Sequence, residues 1–448
     1  MAHDLINNLK HYFMSNNTKH PVVPRELLVP FILVTSLFFA WGFANDITNP
    51  MVKAFSKIFR MSVTDGALVQ LAFYGGYFAM AFPAALFIRK FSYKTGILLG
   101  LGLYATGALL FIPASWTGMY YPFLIAYFIL TCGLSFLETS ANPYILTMGD
   151  ESTATRRLNL AQAFNPMGSL LGMFTAMTFI QARLDTRDTA ARALLSAEEF
   201  EAVKAHDLAV LIAPYVTVGL VVLAMFAVIY FTRMPKNADQ DHSLNLGSAL
   251  KRIFSIARYR EGVIAQFFYV GVQIMCWTFI IQYGTRVFVN MGMDEQAAEV
   301  LSQKYNIIAM GIFCASRFIC TFLLKYFSPG KLLMTLAIGG AVLIAGVIGF
   351  QDVRGMYCLV GVSGCMSLMF PTIYGIALQG LGDDAKFGAA GLIMAILGGS
   401  IMPPVQAAII DCGTIAGMPA VNVSFILPFI CFLVIIAYGY RSYKIHVK

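Results

Sequence analysis

Long apolar stretches are the feature that most restricts what this chain can fold into. A helix that crosses a bilayer needs about 20 mostly apolar residues, and the sequence offers twelve stretches of that kind, here called spans one to twelve. Their approximate bounds are 27–58, 65–88, 95–113, 120–148, 158–181, 208–232, 262–289, 299–325, 331–350, 355–380, 387–411 and 420–441. Charged residues make up only 12% of the chain, about half of the roughly 25% found in soluble domains. We therefore expect a polytopic membrane protein and exclude a soluble enzyme, a disordered protein and a nucleic-acid binder.

The spans fall into two sets of six, separated by a polar and basic segment near the middle of the chain. Short matches recur between the sets at offsets of 236, 233 and 229 positions: Phe91-Ser92 with Phe327-Ser328, Gly149-Asp150 with Gly382-Asp383, and Phe38-Phe39 with Phe267-Phe268. A constant offset near 230 indicates two related halves. The predicted fold is an all-α membrane protein of twelve transmembrane helices in two pseudo-symmetric six-helix halves. Its expected parts are an N-terminal segment 1–26, a first half 27–232, a central loop 233–261, a second half 262–441 and a tail 442–448.

Positive charges predict the orientation of these spans. With the N-terminus inside, the cytoplasmic segments hold 20 lysines and arginines and the outer segments hold 10. Cytoplasmic loops of membrane proteins carry this kind of excess. The net charge of +8 is therefore interpreted as loop charge rather than as a nucleic-acid surface. We expect a multi-pass protein of the inner (cytoplasmic) membrane, embedded in the lipid bilayer with both termini in the cytoplasm.

Ionisable residues within the spans are few. All six histidines fall outside the spans, and of the 23 acids only Asp46 and Glu138 lie well inside them. Eight cysteines show no CxxC spacing, so a zinc site or disulfide framework is not expected. We predict no catalytic residues, no metal and no cofactor. Any proton chemistry in the membrane must use the two acids, since buried polar groups are costly unless they line a cavity.

Asp46 belongs to a polar cluster on span one. Asn45 and Asn49 are four residues apart and Asp46 and Asn49 three apart, so their side chains can address one cavity. The alternative is a cap or turn at the outer end of the helix, before Pro50. Asp46 lies some 19 residues from the start of the span, which favours the cavity.

Glu138 is the strongest single functional candidate. It lies about ten residues before the end of span four, near the middle of the bilayer, and Asn142 follows one turn later on the same face. The alternative is a structural ion pair, for which Arg317 is the only cation inside a span. Arg317 is expected in the other half and nearer the cytoplasmic side, which argues against that pairing.

Amides and aromatic rings on five spans complete the predicted cavity. Amides and carboxylates supply donors and acceptors for hydroxyl groups, and an aromatic ring stacks on the apolar face of a sugar. The alternative for each residue is a hydrogen bond between neighbouring helices. The predicted substrate-binding residues are Asn45, Asn49, Gln70, Tyr74, Glu138, Asn142, Gln162, Asn165, Gln273 and Trp277, with Tyr77 beside them on span two.

The whole chain resembles the fucose–proton symporter family of the major facilitator superfamily. The resemblance rests on stretches such as SLFFAWGFAND, LVQLAFYGGYFAM, LETSANPY, RLNLAQAFNPMGS and AQFFYVGVQIMCWTFI, from about residue 30 to 440. It implies a twelve-helix sugar–proton symporter of the inner membrane. It also implies that Glu138, Gln162 and Asn165 contact the sugar and that Glu138 and an acid on span one are linked to protonation. Relatives carry that acid at the position of Asn49, and a neutral residue where Asp46 stands here.

The leading hypothesis is proton-coupled uptake of L-fucose or a closely related hexose by alternating access. The proton is the coupling ion, Asp46 and Glu138 couple it to the sugar, and the protein acts as a monomer. A glucose or galactose transporter of the same fold is the nearest alternative. A passive channel would show a continuous polar stripe or charged ring, and a membrane enzyme would need a nucleophile with its base or metal ligands, so both are remote.

Overall fold

The structure is a computed structural model that describes residues 21–48, 55, 58–61, 68–181, 183–185, 187, 191–192, 194–235 and 246–447. Some side chains inside helices are outside the description, namely those of residues 45–48, 70–71, 177, 181, 246, 296, 383 and 445–447. Within the described ranges the chain is almost entirely helical, and its two short strands form a hairpin at Thr414–Ile415 and Met418–Pro419.

Helices occur at all twelve predicted spans. Seven spans are single helices: Leu28–Thr48, Leu68–Lys90, Tyr121–Thr147, Ala197–Phe231, Ala257–Asn290, Glu295–Leu323 and Pro329–Gly349. Five are made of two helices: Tyr93–Leu109 with Phe111–Thr117, Ala154–Gln162 with Asn165–Thr175, Val353–Met366 with Met369–Leu378, Ala385–Met394 with Gly398–Ile410, and Ala420–Ser424 with Ile426–Val447. Eleven stretches of the described chain are long and apolar enough to cross a membrane, and the 23-residue helix at span two completes the set of twelve.

Span six begins earlier than hydropathy predicts. Its helix starts at Ala197 rather than near 208, because Ser196 and Glu199 form a reciprocal capping box at its start. Each side chain there bonds the backbone N–H of the other residue, which stabilises a helix start outside the apolar region. The expected central loop 233–261 also differs from the prediction, since it contains the helix Leu246–Ser255 and the first turn of span seven.

The breaks in spans five and ten lie beside prolines. Proline has no N–H to donate and its ring displaces the preceding turn, so a helix interior cannot continue through it unchanged. In span five the second helix starts at Asn165, directly before Pro166. In span ten the first helix ends at Met366 and the second contains Pro371. Both breaks fall at the depth of the polar residues described below.

We call the end of the bundle that carries the helix Leu246–Ser255 the linker face. Here the last turns of spans two and four pack against Ala385–Met394, and Met369–Leu378 packs against Ala154–Gln162. The hydrophobic core of the first half continues into this part of spans ten and eleven. Beyond it, among the described helices, the main contact between the halves is that of spans five and eight. The halves are therefore closed together at the linker face.

Candidate functional site

The centre of the candidate site is the carboxyl group of Glu138 on span four. Its side chain is 6% exposed, and Oε1 accepts a hydrogen bond of 3.0 Å from the Tyr77 hydroxyl on span two. Spans two and four are held together beside this bond, since the Ser135 hydroxyl donates to the Tyr77 carbonyl at 3.0 Å. Glu138 has no ion-pair partner in the described part of the chain.

Two amides connect Glu138 to span five. The Asn142 side chain donates to the Glu138 carbonyl at 2.9 Å, and its oxygen accepts from Gln162 Nε2 at 2.7 Å. Asn142 is fully buried and Gln162 is 5% exposed. Gln162 uses one of its two amide hydrogens in this bond. Its other hydrogen and its Oε1 have no protein partner within the described ranges, so they are available to a ligand.

Arg317 joins this group from the second half of the chain. Its Nη1 donates to the Gln162 carbonyl at 3.0 Å and its Nε to the Ser367 carbonyl at 2.5 Å. The guanidinium also lies 4.7 Å from the ring centroid of Phe313. The ion pair of Arg317 with Glu138 that the sequence left open is therefore not formed. Carbonyl oxygens and an aromatic face surround the cation instead.

The second half contributes an aromatic side to the site. Trp277 Nε1 donates to the Ser363 hydroxyl at 3.2 Å, and its ring meets Phe313 edge-to-face with centroids 4.9 Å apart. Trp277 is only partly buried, as is Gln273 one turn earlier on span seven. A half-buried tryptophan with a fixed orientation beside an amide suits the stacking and hydrogen bonding of a sugar ring.

Asn165 lies where spans five and one meet. Its side chain is half-buried and donates to the Phe38 carbonyl at 3.2 Å. The approach of the two backbones is close because it occurs at glycines: a Cβ at Gly42 or Gly168 would collide with a carbonyl oxygen of the facing helix. This packing brings Asn165 beside the helix that carries the polar cluster of span one.

Four predicted residues lie wholly or partly outside the described residues. Asn49 lies outside the described residues, and so do the side chains of Asn45, Asp46 and Gln70, although these three belong to helices. Tyr74 is described: it is half-buried, and its ring meets Phe73 edge-to-face at 5.6 Å. The structure thus brings Glu138, Asn142 and Gln162 into one chain of contacts with Arg317. The spans around this connected set of side chains carry Asn165, Tyr74, Gln273 and Trp277.

Arg317 belongs with the site, and Asn306 lies on the same face of span eight. Arg317 contacts the backbone of Gln162 directly, although its charge alone predicts only an ion pair. Asn306 on span eight is half-buried and makes no side-chain hydrogen bond within the described residues. Helical spacing is the signal that could have identified it. Asn306, Phe313 and Arg317 are separated by seven and four residues, which places them on one face of a helix.

Further polar atoms are buried between the site and the linker face. Asn159 donates across the halves to the Thr372 hydroxyl at 3.1 Å, while its oxygen has no partner among the described residues. The Tyr374 hydroxyl, and both polar atoms of the Gln266 amide on span seven, are also buried without a partner among the described residues. Buried polar atoms normally find a partner. The unpaired atoms of Asn159 and Tyr374 therefore mark a part of the interface between the halves that is suited to become hydrated.

Comparison with known families gives a match over most of the chain. The model of the Major Facilitator Superfamily matches residues 33–404. The chain is 54% identical over 430 residues to the L-fucose-proton symporter of Haemophilus influenzae, covering 95% of this chain and 99% of that protein. It is 30% identical over 431 residues to a glucose/galactose transporter of Brucella abortus, covering 95% and 97%.

Solved structures give the same result. A crystal structure of the fucose:proton symporter of Escherichia coli superposes with a TM-score of 0.84 at 32% sequence identity, covering 93% of this chain and 99% of that one. A second crystal structure, of a transporter of the superfamily in the outward conformation, has the same TM-score, identity and coverage. The predicted fold of twelve helices in two related halves is therefore confirmed.

Proposed function

Because the chain belongs to the Major Facilitator Superfamily, we propose that this multi-pass membrane transporter carries L-fucose into the cell together with a proton. The L-fucose-proton symporter of H. influenzae is its relative at 54% identity, whereas the glucose/galactose transporter of B. abortus is 30% identical. This difference favours fucose as the substrate. Glucose or galactose is the second candidate.

The observation that carries the proposal is the chain of contacts from Tyr77 through Glu138 and Asn142 to Gln162. A buried carboxyl group without a cation is costly in its ionised form, so it can take up and release a proton as its surroundings become dry or hydrated. The same group can accept hydrogen bonds from hydroxyls of a neutral sugar. Proton and sugar are thus coupled through one connected set of side chains.

Each residue has a role in this proposal. Glu138 and Asp46 carry the coupling proton. Gln162 and Asn165 bind hydroxyls, Trp277 stacks on the apolar face of the sugar, and Asn142 orients Gln162. The remaining residues proposed to line the cavity are Asn45, Asn49, Gln70, Tyr74 and Gln273. No cofactor takes part, and the monomer is the functional unit.

Transport follows alternating access, in which the two halves rock around a central site. Coupling requires that sugar and proton favour the same states, because an equilibrium shifts only by differential affinity. The driving force is adequate, since one charge moved across about 100 mV is worth roughly 2.3 kcal/mol. That energy sustains about a 40-fold concentration gradient of the sugar.

We assign the linker face to the cytoplasm of the inner membrane. The excess of lysine and arginine in the segments on that side supports the assignment, and so do the exposed Lys251 and Arg252 of the linker helix. Both termini are then cytoplasmic. With its linker face closed, the described conformation corresponds to the outward-facing state.

Binding calorimetry of the purified protein against L-fucose, D-galactose, D-glucose and D-arabinose tests the substrate. We expect L-fucose to bind most tightly. Gln162→Ala and Asn165→Ala should each weaken binding about 5- to 150-fold, because a lost buried hydrogen bond costs about 1–3 kcal/mol. Gln303→Ala, at an exposed position on span eight, is the matched control. Binding confined to glucose, or unchanged affinity in both site variants, would contradict the proposal.

Radiolabelled uptake into proteoliposomes under a pH gradient separates the two acids. Asp46→Asn should abolish uphill accumulation while sugar binding stays measurable. Glu138→Gln should weaken sugar binding itself, because an acceptor oxygen is replaced by an amide nitrogen that only donates. If Asp46→Asn still accumulates sugar uphill, Glu138 carries the coupling alone.

A further inference from the structure

Arg317 makes two hydrogen bonds that share an unusual property. Its acceptors are the carbonyl oxygens of Gln162 and Ser367. Each of these residues lies four positions before a proline, Pro166 in span five and Pro371 in span ten. One guanidinium therefore contacts the two carbonyls that these two prolines leave without a helical partner.

The physical reason follows from helix geometry. In an α-helix, the N–H of residue i donates to the carbonyl of residue i−4, and proline has no N–H to donate. The carbonyls of Gln162 and Ser367 consequently need another donor, because an unpaired buried carbonyl is costly. Arginine suits this task, since its guanidinium presents several N–H groups in a rigid fork. Arg317 is 3% exposed and has two separate nitrogens directed at these oxygens.

The two bonds differ in what they connect. Ser367 belongs to the second half of the chain, as Arg317 does, so that bond lies within one half. Gln162 ends the first helix of span five, in the first half. This helix packs against Met369–Leu378 where the linker face is closed. The bond to Gln162 therefore crosses the interface that must separate when the linker face opens.

We propose that Arg317 is a positioning residue that couples the sugar site to the conformational state of the transporter. In the closed-linker-face state it fixes the end of the first helix of span five and thereby the Gln162 amide. Gln162 is in turn bonded to Asn142, which is bonded to Glu138. Opening of the linker face breaks the bond between Arg317 and Gln162 and leaves the bond to Ser367 intact. Arg317 thus favours the outward-facing state and the sugar-binding arrangement of Gln162 together.

The sugar-binding part of this inference rests on the proposed function, whereas the conformational part does not. A reporter at Thr372 separates them. Thr372 is fully buried at the interface between the halves, where its hydroxyl accepts from Asn159. In a Thr372→Cys background, the rate at which the introduced thiol reacts with a maleimide in detergent measures how often the linker face opens. The same protein without the introduced thiol gives the contribution of the native cysteines.

Arg317→Met removes both bonds and should increase the rate of labelling in the Thr372→Cys background several-fold without any sugar present. It should also lower the affinity for L-fucose about tenfold or more, because a buried hydrogen bond from a charged donor is lost. Arg317→Lys, whose single ammonium cannot reproduce the planar fork, should show smaller changes of the same sign and remains informative if the methionine variant folds poorly. Arg354→Met, at an exposed arginine that pairs with Asp352 on the opposite face, is the control for loss of a cation.

Restoring the missing backbone donor distinguishes this role from general bracing of the fold. Pro166→Ala supplies an N–H for the Gln162 carbonyl, so it should reverse at least part of the affinity loss in Arg317→Met. It should not return the labelling of the reporter thiol to the original rate, since it does not rebuild the bond between the halves. Unchanged labelling and affinity in Arg317→Met, or an affinity loss that Pro166→Ala leaves untouched, would overturn the proposal. If the unmodified protein binds no fucose, the proposed function is wrong. Labelling of the thiol in the Thr372→Cys background then still tests whether Arg317 favours the closed linker face.

Discussion

Single hydrogen bonds decide what the Glu138 carboxyl group can do. The Tyr77 hydroxyl occupies one lone pair of Oε1 at 3.0 Å. No second donor to the carboxyl group occurs among the described residues. The remaining acceptor positions are therefore open to a proton or to a sugar hydroxyl. The Tyr77 hydroxyl orients the carboxyl group but does not neutralise its charge. An arginine in the same place would neutralise it.

Replacing Tyr77 by Phe removes this hydroxyl and keeps the ring. We expect the affinity for L-fucose to fall about 5- to 30-fold, because the carboxyl group loses its fixed orientation and a hydrogen bond worth about 1–2 kcal/mol. Calorimetry in detergent measures the change. Tyr104→Phe removes another buried tyrosine hydroxyl, one that contacts the Ala40 carbonyl at 3.5 Å, and should leave binding unchanged. Equal losses in both variants would indicate a general packing effect.

Two buried arginines, Arg157 and Arg317, are compensated by backbone carbonyls. Arg157 is fully buried, and its Nε donates to the Ile145 carbonyl at 2.8 Å and its Nη2 to the Leu146 carbonyl at 2.6 Å. It ties the end of span four to the start of span five. Arg317 follows the same chemistry at the centre of the bundle. Helix ends and proline breaks supply unpaired carbonyls, and arginine is the side chain that can satisfy two of them at once.

At the scale of helices, the contact between spans one and five positions Asn165. The two backbones approach at Gly42, Gly168 and Gly172, where an added Cβ would collide with a carbonyl of the facing helix. The Ser169 hydroxyl also donates to the Gly42 carbonyl at 3.3 Å. Small residues allow membrane helices to pack this closely.

Gly168→Ala should destabilise the protein by about 1–3 kcal/mol, because the new methyl group forces the helices apart. We also expect weaker fucose binding, since Asn165 would be displaced. Thermal unfolding of the detergent-solubilised protein measures the first effect. Gly75→Ala on span two is the matched control, as its Cβ would have no neighbour within 4 Å, and it should be neutral or slightly stabilising. A neutral Gly168→Ala variant would contradict the close packing.

Ion pairs stabilise the segment between spans five and six and connect it to the helix of span six. Arg192 Nη2 lies 2.6 Å from Asp207 Oδ2, and both side chains are fully buried. Nearby, Arg187 Nη2 lies 2.7 Å from Asp185 Oδ2. Hydrogen bonds from the Arg187 side chain, together with its charge, hold the pKa of Asp185 well below its ordinary value. This segment joins spans five and six on the face opposite the linker.

Asp185 should therefore make stability depend on acid pH. A carboxyl group whose pKa is lower in the folded state contributes stability above its unfolded pKa, about 3.9, and loses that contribution as the pH falls. Asp185→Asn should lower the melting temperature at pH 7, and the gap to the unmodified protein should narrow below about pH 4. Asp411→Asn, at an exposed position, should show no such gap. A gap that is constant across pH would contradict the role of the ionised carboxylate.

At the scale of the whole molecule, a group of three charged residues joins the parts that meet at the linker face. Asp384, at the start of span eleven, pairs with Arg89 of span two at 3.2 Å. It also pairs with Arg252 of the linker helix, whose Nε lies 2.9 Å from Asp384 Oδ2. One carboxylate thus holds both halves and the segment between them. The site of Glu138 and Gln162 lies deeper in the bundle than this closure.

Asp384→Asn should shift the protein towards states with an open linker face, because the amide cannot replace either charge pair. Spin labels at Lys90→Cys and Lys325→Cys, on ends of spans two and eight at this face, would report the change as a longer distance population. Asp352→Asn removes an ion pair with Arg354 at 2.8 Å away from the linker face and serves as the control. An unchanged distance distribution in Asp384→Asn would show that hydrophobic packing alone closes the linker face.

The sequence by itself determined the spans and named the candidate residues of the site. Twelve apolar stretches predict twelve helices because a bilayer core leaves backbone groups no other partner. Glu138 was identifiable because an acid in the middle of a span is costly unless it has a function. Spacing made Gln162 and Asn165 candidates for the site, and the family resemblance implied the same residues.

Only the tertiary structure decided which groups meet. Tyr77 and Glu138 are 61 positions apart, and Arg317 and Gln162 are 155 apart. Local periodicity shows which face a residue occupies, but not how distant helices pack against one another. The sequence therefore left an Arg317–Glu138 ion pair open. The fold instead directs Arg317 to two carbonyls exposed by prolines, because these unpaired acceptors lie within its reach.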